Sequence, residues 1–209
     1  MSIGAIIRRL FGRHEHKVSE FYRAMFFDLD AYANQIAQWV PHARHILEVG
    51  CGEGAVTERL VLRYPDADIM SIDITPRVGR LFRGPRERVS FAETTVQEVA
   101  ASRPGEFDVA IISDVIHHVP LDQRVAILQA TQRALAANGV LIFKEWERTA
   151  SPIHWATYGS DRWITGDRIR YLKQAEAEAL LVRVFGTGSI LAAARLRPWK
   201  NNLALLVKA

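Results

Sequence analysis

A glycine-rich turn directly follows a short apolar segment early in the chain. The apolar segment is His45–Val49, and the turn consists of Gly50, Cys51, Gly52, Glu53 and Gly54. Glycine adopts positive φ angles without strain and has no Cβ atom, so a ligand can lie directly against such a turn. The residues therefore predict a cofactor site where this turn opens a helix.

A carboxylate ends the next predicted strand. Asp73 lies 23 residues after Gly50, at the end of the apolar segment 67–73. A carboxylate at this place can accept hydrogen bonds from both hydroxyls of a ribose. The turn and Asp73 together predict that an adenosine-type nucleoside lies across the first two strands.

Two classes of cofactor fit this glycine spacing. Gly50, Gly52 and Ala55 satisfy the G-x-G-x-x-G/A pattern of dinucleotide-binding proteins, so a nicotinamide-dependent oxidoreductase of Rossmann type is one alternative. Glu48, however, stands two residues before the first glycine. A carboxylate there can hold a water molecule or a polar ligand tail, but it does not serve a pyrophosphate.

The segment 48–54 is an acidic residue followed by G-x-G-x-G, and it resembles the first motif of the class I S-adenosylmethionine-dependent methyltransferases. Asp73, the segment 107–114 and the turn 135–141 are similar to later motifs of the same family. The resemblance covers roughly residues 44–146. It implies the small-molecule branch of the family, with S-adenosyl-L-methionine as cofactor and S-adenosyl-L-homocysteine as product.

The resemblance also implies which residues bind the cofactor. Gly50 and Gly52 would line its methionine and ribose part, and Ile74 would lie against the adenine. The family often has Asp after the third strand, where this chain has Thr95, whose hydroxyl can still accept a hydrogen bond. The predicted cofactor-binding residues are Glu48, Gly50, Cys51, Gly52, Asp73, Ile74, Thr95, Val96 and Ser113.

Candidate catalytic residues follow the fourth predicted strand. Methyl transfer from a sulfonium is an in-line displacement, so much of its rate can come from holding the acceptor in register and excluding water. A base is optional in this reaction: a hydroxyl acceptor gains from one, whereas some carbon or amine acceptors react without it. His117 and His118 stand at the sheet edge where ligands bind, and the alternative is that both only cap or pack. Asp114 is expected to contact the substrate or the cofactor rather than act as the base.

Aromatic residues between the fifth strand and the following helix suggest where the acceptor binds. In the family, insertions at this place shape the acceptor pocket, and here Trp155, Tyr158 and Trp163 are the predicted substrate-binding residues. A tryptophan-anchored surface loop is the alternative. Such walls suit a small, flat, apolar or aromatic acceptor.

Apolar segments alternate with amphipathic ones, which predicts an α/β fold with one doubly wound, Rossmann-like sheet. A helix is expected over 55–63, a second that ends at Asn138-Gly139 with a left-handed cap, and a third over 166–181 with Thr165 as N-cap. The family implies an antiparallel last strand. The predicted strands are 45–49, 67–73, 89–92, 107–112, 139–145, 182–186 and 203–207.

About forty residues precede the first strand. Residues 1–43 contain two amphipathic helical segments, with an aromatic stripe in the second, and form either a docked extension or a lid over the substrate cavity. Residues 1–13 are basic and amphipathic, so they can make a weak contact with a membrane surface. The whole chain is then one domain, with the cofactor-binding core at 44–146 and the acceptor-side loop, last helix and hairpin at 147–209.

Composition excludes several other classes. With 209 residues, 49% hydrophobic content and no apolar run near 20 residues, the chain predicts one globular core without a membrane span. One cysteine excludes an internal disulfide, and no histidine or carboxylate set has metal-ligand spacing, so no metal is expected. Arginines are scattered rather than massed, which argues against a nucleic-acid partner. A cytoplasmic location is expected, and the sequence leaves the oligomeric state open.

We therefore expect a methyltransferase that transfers a methyl group to oxygen, carbon or nitrogen of a small molecule. A nicotinamide-dependent oxidoreductase and a cofactor-binding interaction protein without turnover stay as alternatives.

Overall fold

Strand order defines the architecture. The computed structural model describes residues 26–154 and 169–209, and within them seven strands form one sheet in the order β3-β2-β1-β4-β5-β7-β6. Strand β7 pairs antiparallel with both β5 and β6, and the other pairs are parallel. This is the doubly wound, Rossmann-like sheet with an antiparallel last strand that the sequence predicted.

The strands and helices have the following bounds. The strands are β1 His45–Val49, β2 Asp68–Asp73, β3 Val89–Glu93, β4 Phe107–Ser113, β5 Leu135–Trp146, β6 Ile190–Leu196 and β7 Asn202–Lys208. The helices are α1 Leu29–Trp39, α2 Ala55–Arg63, α3 Val96–Ser102, α4 Leu121–Ala134 and α5 Gln174–Phe185, and a 3-10 turn covers Ile116–His118.

Two apolar clusters cover the two faces of the sheet, because successive side chains of a strand point to opposite faces. Leu47 and Ile112 belong to the cluster that includes α3, α4 and α5 residues. Ile46 and Ile111, their neighbours in the chain, belong to the cluster that contains α1 and α2 residues. Both faces are therefore buried, as parallel sheets require.

The prediction of a strand at 182–186 is wrong, because this segment is the end of helix α5. Ala177, Leu181, Val184 and Phe185 pack against one core at helical spacing, and this burial outweighs the strand preference of the valines. The sixth strand is β6, which the sequence analysis missed. Its alternation of half-buried and exposed residues has period two, but its alanines give a weak apolar pattern.

Two helix ends also differ from their predictions. Helix α4 ends at Ala134, and Gly139 lies in β5 without the positive φ of a left-handed cap. A Cβ at Gly139 would lie 2.9 Å from the Ala136 oxygen, so glycine permits a close backbone approach there. Residues 169–173 are not helical, and α5 begins at Gln174 rather than near 166. Residues 155–168, with the predicted N-cap Thr165, lie outside the described residues.

The second of the two helical segments expected within residues 1–43 is not one continuous helix in the structure, because helix α1 begins only at Leu29. Asp28 caps helix α1 by accepting a hydrogen bond from the Ala31 N–H at 2.9 Å, so a new helix begins after Phe27. Tyr32 and Ile36 of α1 are fully buried against α2 and the sheet. The predicted helical segment at 1–13 and its membrane contact lie outside the described residues.

No helix among the described residues is both long and apolar enough to cross a membrane.

The glycine turn contacts the loop after β4 directly. A Cβ at Gly50 would lie 2.2 Å from Val115 Cγ2, whereas a Cβ at Gly52 would meet no atom within 4 Å. Both glycines have positive φ, at 77° and 52°. The two positions therefore share backbone strain on substitution but differ in crowding.

We expect Gly50→Ala to lower the free energy of unfolding more than Gly52→Ala does. Both variants lose about 1–2 kcal/mol to left-handed backbone, and Gly50→Ala adds roughly 1–3 kcal/mol of overpacking against Val115. Urea denaturation of the two single variants and of Gly50→Ala/Val115→Ala measures this. The double variant should regain the part of the unfolding free energy lost to crowding against Val115, but not the part lost to the left-handed backbone. Equal losses in the two single variants would show that a side chain at position 50 does not clash with Val115.

Candidate active site

A cavity of about 430 Å³ opens at the carboxyl ends of β1, β4 and β5, the edge of a parallel sheet where ligands bind. The glycine turn forms one wall, and residues from the N-terminal segment, β5 and β7 form the other. The described residues that line it are Phe26, Phe27, Leu29, Glu48, Val49, Gly50, Cys51, Gly52, Glu53, Ala55, Val56, Ser113, Asp114, His117, His118, Lys144, Trp146, Tyr171 and Asn202.

Hydrogen bonds to strand β2 hold the glycine turn in place. The backbone N–H groups of Gly50 and Cys51 both donate to the Ile72 carbonyl oxygen, at 2.8 and 3.0 Å. The Gly52 N–H donates to Asp73 Oδ2 at 2.8 Å, and the Thr75 N–H donates to Asp73 Oδ1 at 2.9 Å. Asp73 therefore fixes the turn and keeps a lone pair on each oxygen for a further donor.

Glu48 is a buried carboxylate below the turn. Its Oε2 accepts hydrogen bonds from Thr57 Oγ1 at 2.5 Å and from Ser71 Oγ at 3.0 Å. Burial outweighs these two hydrogen bonds and raises the pKa of Glu48 to about 7. Glu48 thus borders the cavity as a group that changes its charge near neutral pH.

The predicted adenine-binding residues lie beside the cavity rather than in its lining. Ile74 is 76% exposed, which leaves an apolar surface next to Asp73. Thr95 caps helix α3 and exchanges hydrogen bonds with Glu98 in a capping box, so its hydroxyl is already engaged. The Val96 side chain is buried in the core. Its backbone N–H belongs to the first turn of the helix, where intrahelical partners are missing.

Ser113 and Cys51 line the cavity, but neither supplies an ionised group to it. Ser113 Oγ and the Tyr32 hydroxyl form a 2.6 Å hydrogen bond, and burial raises the Tyr32 pKa far above its ordinary value. Burial likewise raises the pKa of the Cys51 thiol. A thiol that stays protonated is a poor nucleophile, so Cys51 fills space in the turn.

A buried histidine and glutamate form a pair at the cavity. His117 Nδ1–H donates to Glu145 Oε2 at 2.6 Å, and the Ile116 N–H donates to Glu145 Oε1 at 2.6 Å. Both side chains are at most 4% exposed. The carboxylate fixes the ring orientation, and in this tautomer Nε2 carries the lone pair of the neutral imidazole. The arrangement can accept a proton from a bound hydroxyl.

Aromatic rings surround this pair. The His117 ring lies 4.7 Å from the Tyr171 ring and 4.2 Å from that of His118, which is exposed. The Trp146 Nε1–H donates to His154 Nδ1 at 3.2 Å, and the His154 ring contacts Tyr171 at 5.2 Å. Burial lowers the pKa of His154 and favours its neutral form. Aromatic rings therefore form this side of the cavity.

Arg124 joins the two segments that carry His117 and Tyr171. Its Nε–H donates to the Val119 carbonyl oxygen and its Nη2–H to the Arg170 carbonyl oxygen, both at 2.9 Å. Its side chain is 2% exposed, and burial lowers its pKa. The buried guanidinium therefore holds the segment after His117 next to the segment before Tyr171, because it binds a main-chain oxygen of each.

Asp114 pairs with a buried lysine. Lys144 Nζ–H donates to Asp114 Oδ2 at 2.5 Å, and Nζ lies 3.9 Å from the centre of the Phe27 ring. One donor or acceptor atom of each of Asp114, His117 and Glu145 lies within 4.8 Å of the others. Both oxygens of Glu145 already accept hydrogen bonds, one from His117 and one from the Ile116 N–H, while Asp114 is bound by Lys144.

The structure places most predicted residues together but adds others. Trp155, Tyr158 and Trp163, the predicted substrate-binding aromatics, lie outside the described residues. Sequence analysis missed Lys144, Glu145 and Tyr171. The first two are charged residues that end the apolar strand β5, at the edge where ligands bind, and that position could have indicated them.

Comparison with known proteins identifies the domain type. A family model described as a methyltransferase domain matches residues 47–141. A ubiquinone biosynthesis O-methyltransferase of Xanthomonas campestris pv. campestris (strain B100) is 29% identical over 137 residues, which cover 64% of this chain and 54% of that protein. One from Xanthomonas euvesicatoria pv. vesicatoria is 26% identical over 170 residues, covering 77% and 70%. The chain thus spans about half the length of the first of these relatives.

Solved structures share the fold at low identity. The Burkholderia thailandensis 1,6-didemethyltoxoflavin-N1-methyltransferase, solved with bound 1,6-didemethyltoxoflavin and S-adenosylhomocysteine, has a TM-score of 0.68 at 16% identity, covering 98% of this chain and 88% of that chain. The N-methyltransferase NodS from Bradyrhizobium japonicum WM9, with S-adenosylhomocysteine, has a TM-score of 0.63 at 17% identity, covering 90% of both chains.

The titration of Glu48 predicts a pH-dependent stability. Because its folded pKa lies above the ordinary value of 4.5, the folded state holds a proton that the unfolded state releases. The contribution of Glu48 is fully present below pH 4.5 and is lost as pH rises through about 7. Glu48→Gln keeps an oxygen for Thr57 and Ser71 without a charge, so this loss should vanish.

We compare the free energy of unfolding of Glu48→Gln with that of the parent protein at two pH values. The difference, variant minus parent, should be on the order of 2–3 kcal/mol larger at pH 7.5 than at pH 4.5. Urea denaturation at both pH values measures the difference between variant and parent. Other carboxylates titrate in both proteins and cancel, so parallel pH profiles would show that Glu48 ionises normally.

Proposed function

The chain contains a class I, S-adenosylmethionine-dependent methyltransferase domain, and from this premise we propose that the protein methylates a hydroxyl oxygen of a small aromatic molecule. The hydrogen bond between His117 and Glu145, inside a cavity beside the glycine turn, carries the proposal. A hydroxyl acceptor gains from such a base, whereas an uncharged amine can attack the methyl group with its own lone pair. The O-methyltransferase names of the relatives agree with an oxygen acceptor.

The residues around the turn fit the cofactor. Within residues 26–154 and 169–209, no atom lies within 4 Å of the place where a Cβ of Gly52 would stand, so space for a ligand faces the turn. Glu48 offers a carboxylate to an ammonium group, and Asp73 offers free lone pairs to ribose hydroxyls. The exposed Ile74 side chain offers an apolar surface to adenine, with the Val96 N–H as a donor nearby.

When bound, S-adenosylmethionine supplies a methyl group on a positively charged sulfonium. The chain supplies the acceptor side. His117 Nε2 accepts the hydroxyl proton, and Glu145 stabilises the imidazolium that forms, because its carboxylate already binds Nδ1–H. Phe26, Trp146 and Tyr171 orient a flat acceptor and exclude water.

The aromatic walls favour the class of acceptor. Phe26 and Trp146 pack edge to face with ring centres 6.4 Å apart, and Phe27 lies against Lys144. Residues 26 and 27 come from the N-terminal segment, so we propose that this segment covers the acceptor as a lid. Trp155, Tyr158 and Trp163 are proposed to complete the acceptor wall.

Gly52→Val should weaken binding of S-adenosylhomocysteine by roughly 5- to 150-fold, because the new side chain occupies ligand space at a cost of about 1–3 kcal/mol. Isothermal titration calorimetry measures the Kd. Gly105→Val is the matched control, since Gly105 has a similar φ of 68° and no atom within 4 Å of its Cβ position. If Gly52→Val binds S-adenosylhomocysteine as tightly as the parent protein does, the cofactor does not bind at this turn.

His117→Ala should lower kcat by about 10²- to 10⁴-fold, because the acceptor hydroxyl loses its base. Initial rates with radiolabelled S-adenosylmethionine and a panel of phenols, hydroxylated quinones and aromatic amines measure the effect. His42→Ala, which removes an exposed imidazole before β1 at the opposite sheet edge, is the control. Full turnover of a phenol by His117→Ala would contradict the base, and turnover of amines alone would contradict the oxygen acceptor.

A further inference from the structure

Lys144 is a buried cation whose ammonium has few partners among the described residues. Its side chain is 1% exposed, so it borders the cavity without offering a surface to an acceptor. Its ammonium donates to Asp114 Oδ2 and lies against the Phe27 ring. A buried ammonium is costly, and one carboxylate with one ring replaces only part of its hydration. Its main contact is therefore with Asp114, and any effect on the acceptor passes through that residue.

Asp114 needs support in its observed conformation. Its φ of 56° is left-handed, which is unfavourable for a residue with a Cβ. Lys144 holds it from two directions, because the Asp114 N–H donates to the Lys144 carbonyl oxygen at 2.9 Å while the Lys144 ammonium binds the carboxylate. Strand β5 thereby sets the start of the loop that continues to His117.

Asp114 lies close to the imidazole that Glu145 binds. The atoms of Asp114, His117 and Glu145 that could bind a common partner lie within 4.8 Å of one another. Without its cation, the Asp114 carboxylate would be an alternative acceptor for His117 Nδ1–H and would repel Glu145. Lys144 binds Asp114 Oδ2, and Asp114 Oδ1 is buried without a hydrogen-bond partner among the described residues, so it is the ion pair that holds this carboxylate in place while Glu145 binds the imidazole.

We propose that Lys144 is a positioning residue. It holds Asp114 in the left-handed conformation and keeps its carboxylate from His117, so that Glu145 alone orients the imidazole. The claim that Lys144 positions Asp114 rests on the contacts described above. Its effect on turnover rests on the proposed function.

The test uses NMR to observe the resonance of the hydrogen-bonded Nδ1–H proton of His117. This resonance is assigned by comparison with His117→Gln, whose spectrum must lack it. Lys144→Met removes the ammonium but keeps an unbranched side chain, and we expect loss of this resonance. Asp114→Gly adopts the left-handed backbone freely and has no carboxylate. Lys144→Met/Asp114→Gly should therefore regain the resonance, although a merely structural role for Lys144 predicts no such rescue.

Two results would overturn the proposal. One is a folded Lys144→Met protein with an unchanged His117 resonance, and the other is a folded double variant without the resonance. Where Lys144→Met alone does not fold, the double variant, which lacks both charges of this ion pair, decides the question. This readout needs no acceptor, so it separates failure of the positioning from failure of the proposed function.

Turnover gives the second readout. With the best phenol of the panel above, Lys144→Met should lower kcat at least tenfold while the KM for S-adenosylmethionine stays the same, and the double variant should regain most of the loss. A rise in the KM of the phenol without rescue would instead make Lys144 a direct acceptor ligand and overturn the positioning role.

Discussion

One buried carboxylate, that of Glu145, organises the acceptor side of the molecule. Its two oxygens bind the backbone N–H of Ile116 and the imidazole of His117, each at 2.6 Å. A charged group that is 3% exposed persists only when such donors replace its water. The same two hydrogen bonds tie strand β5 to the loop after β4. The shape of this loop and the orientation of the imidazole are therefore one structural constraint.

The cofactor side and the acceptor side are coupled by packing as well. Val115 lies where a side chain at position 50 would be, so the glycine turn and the histidine loop share one contact. Asp73 and Ile72 fix the turn from β2, while Lys144 and Glu145 fix the loop from β5. Rigid strands on both flanks hold the gap between the two elements constant, which an in-line displacement requires.

Local patterns predicted the parts of the site that are local. The glycine turn, helix Ala55–Arg63 and Asp73 are contiguous signals, and the structure places each where the sequence indicated. The segment 182–186 failed because its valines favour a strand, while burial beside Leu181 continues the helix. The partner of His117 could not be seen, because Glu145 lies 28 residues away and becomes its neighbour only through the pairing of β4 with β5.

The position of β7 has a consequence for synthesis of the protein. Asn202 of this strand lines the cavity, and its Nδ2–H donates to the Phe26 carbonyl oxygen at 2.8 Å across 176 residues. Strand β7 also separates β5 from β6 in the sheet. Until a ribosome has added these residues, β5 lacks one of its two neighbours in the sheet. Premature termination before residue 202 would thus leave one edge of β5 unpaired and the Phe26 carbonyl oxygen without this hydrogen bond.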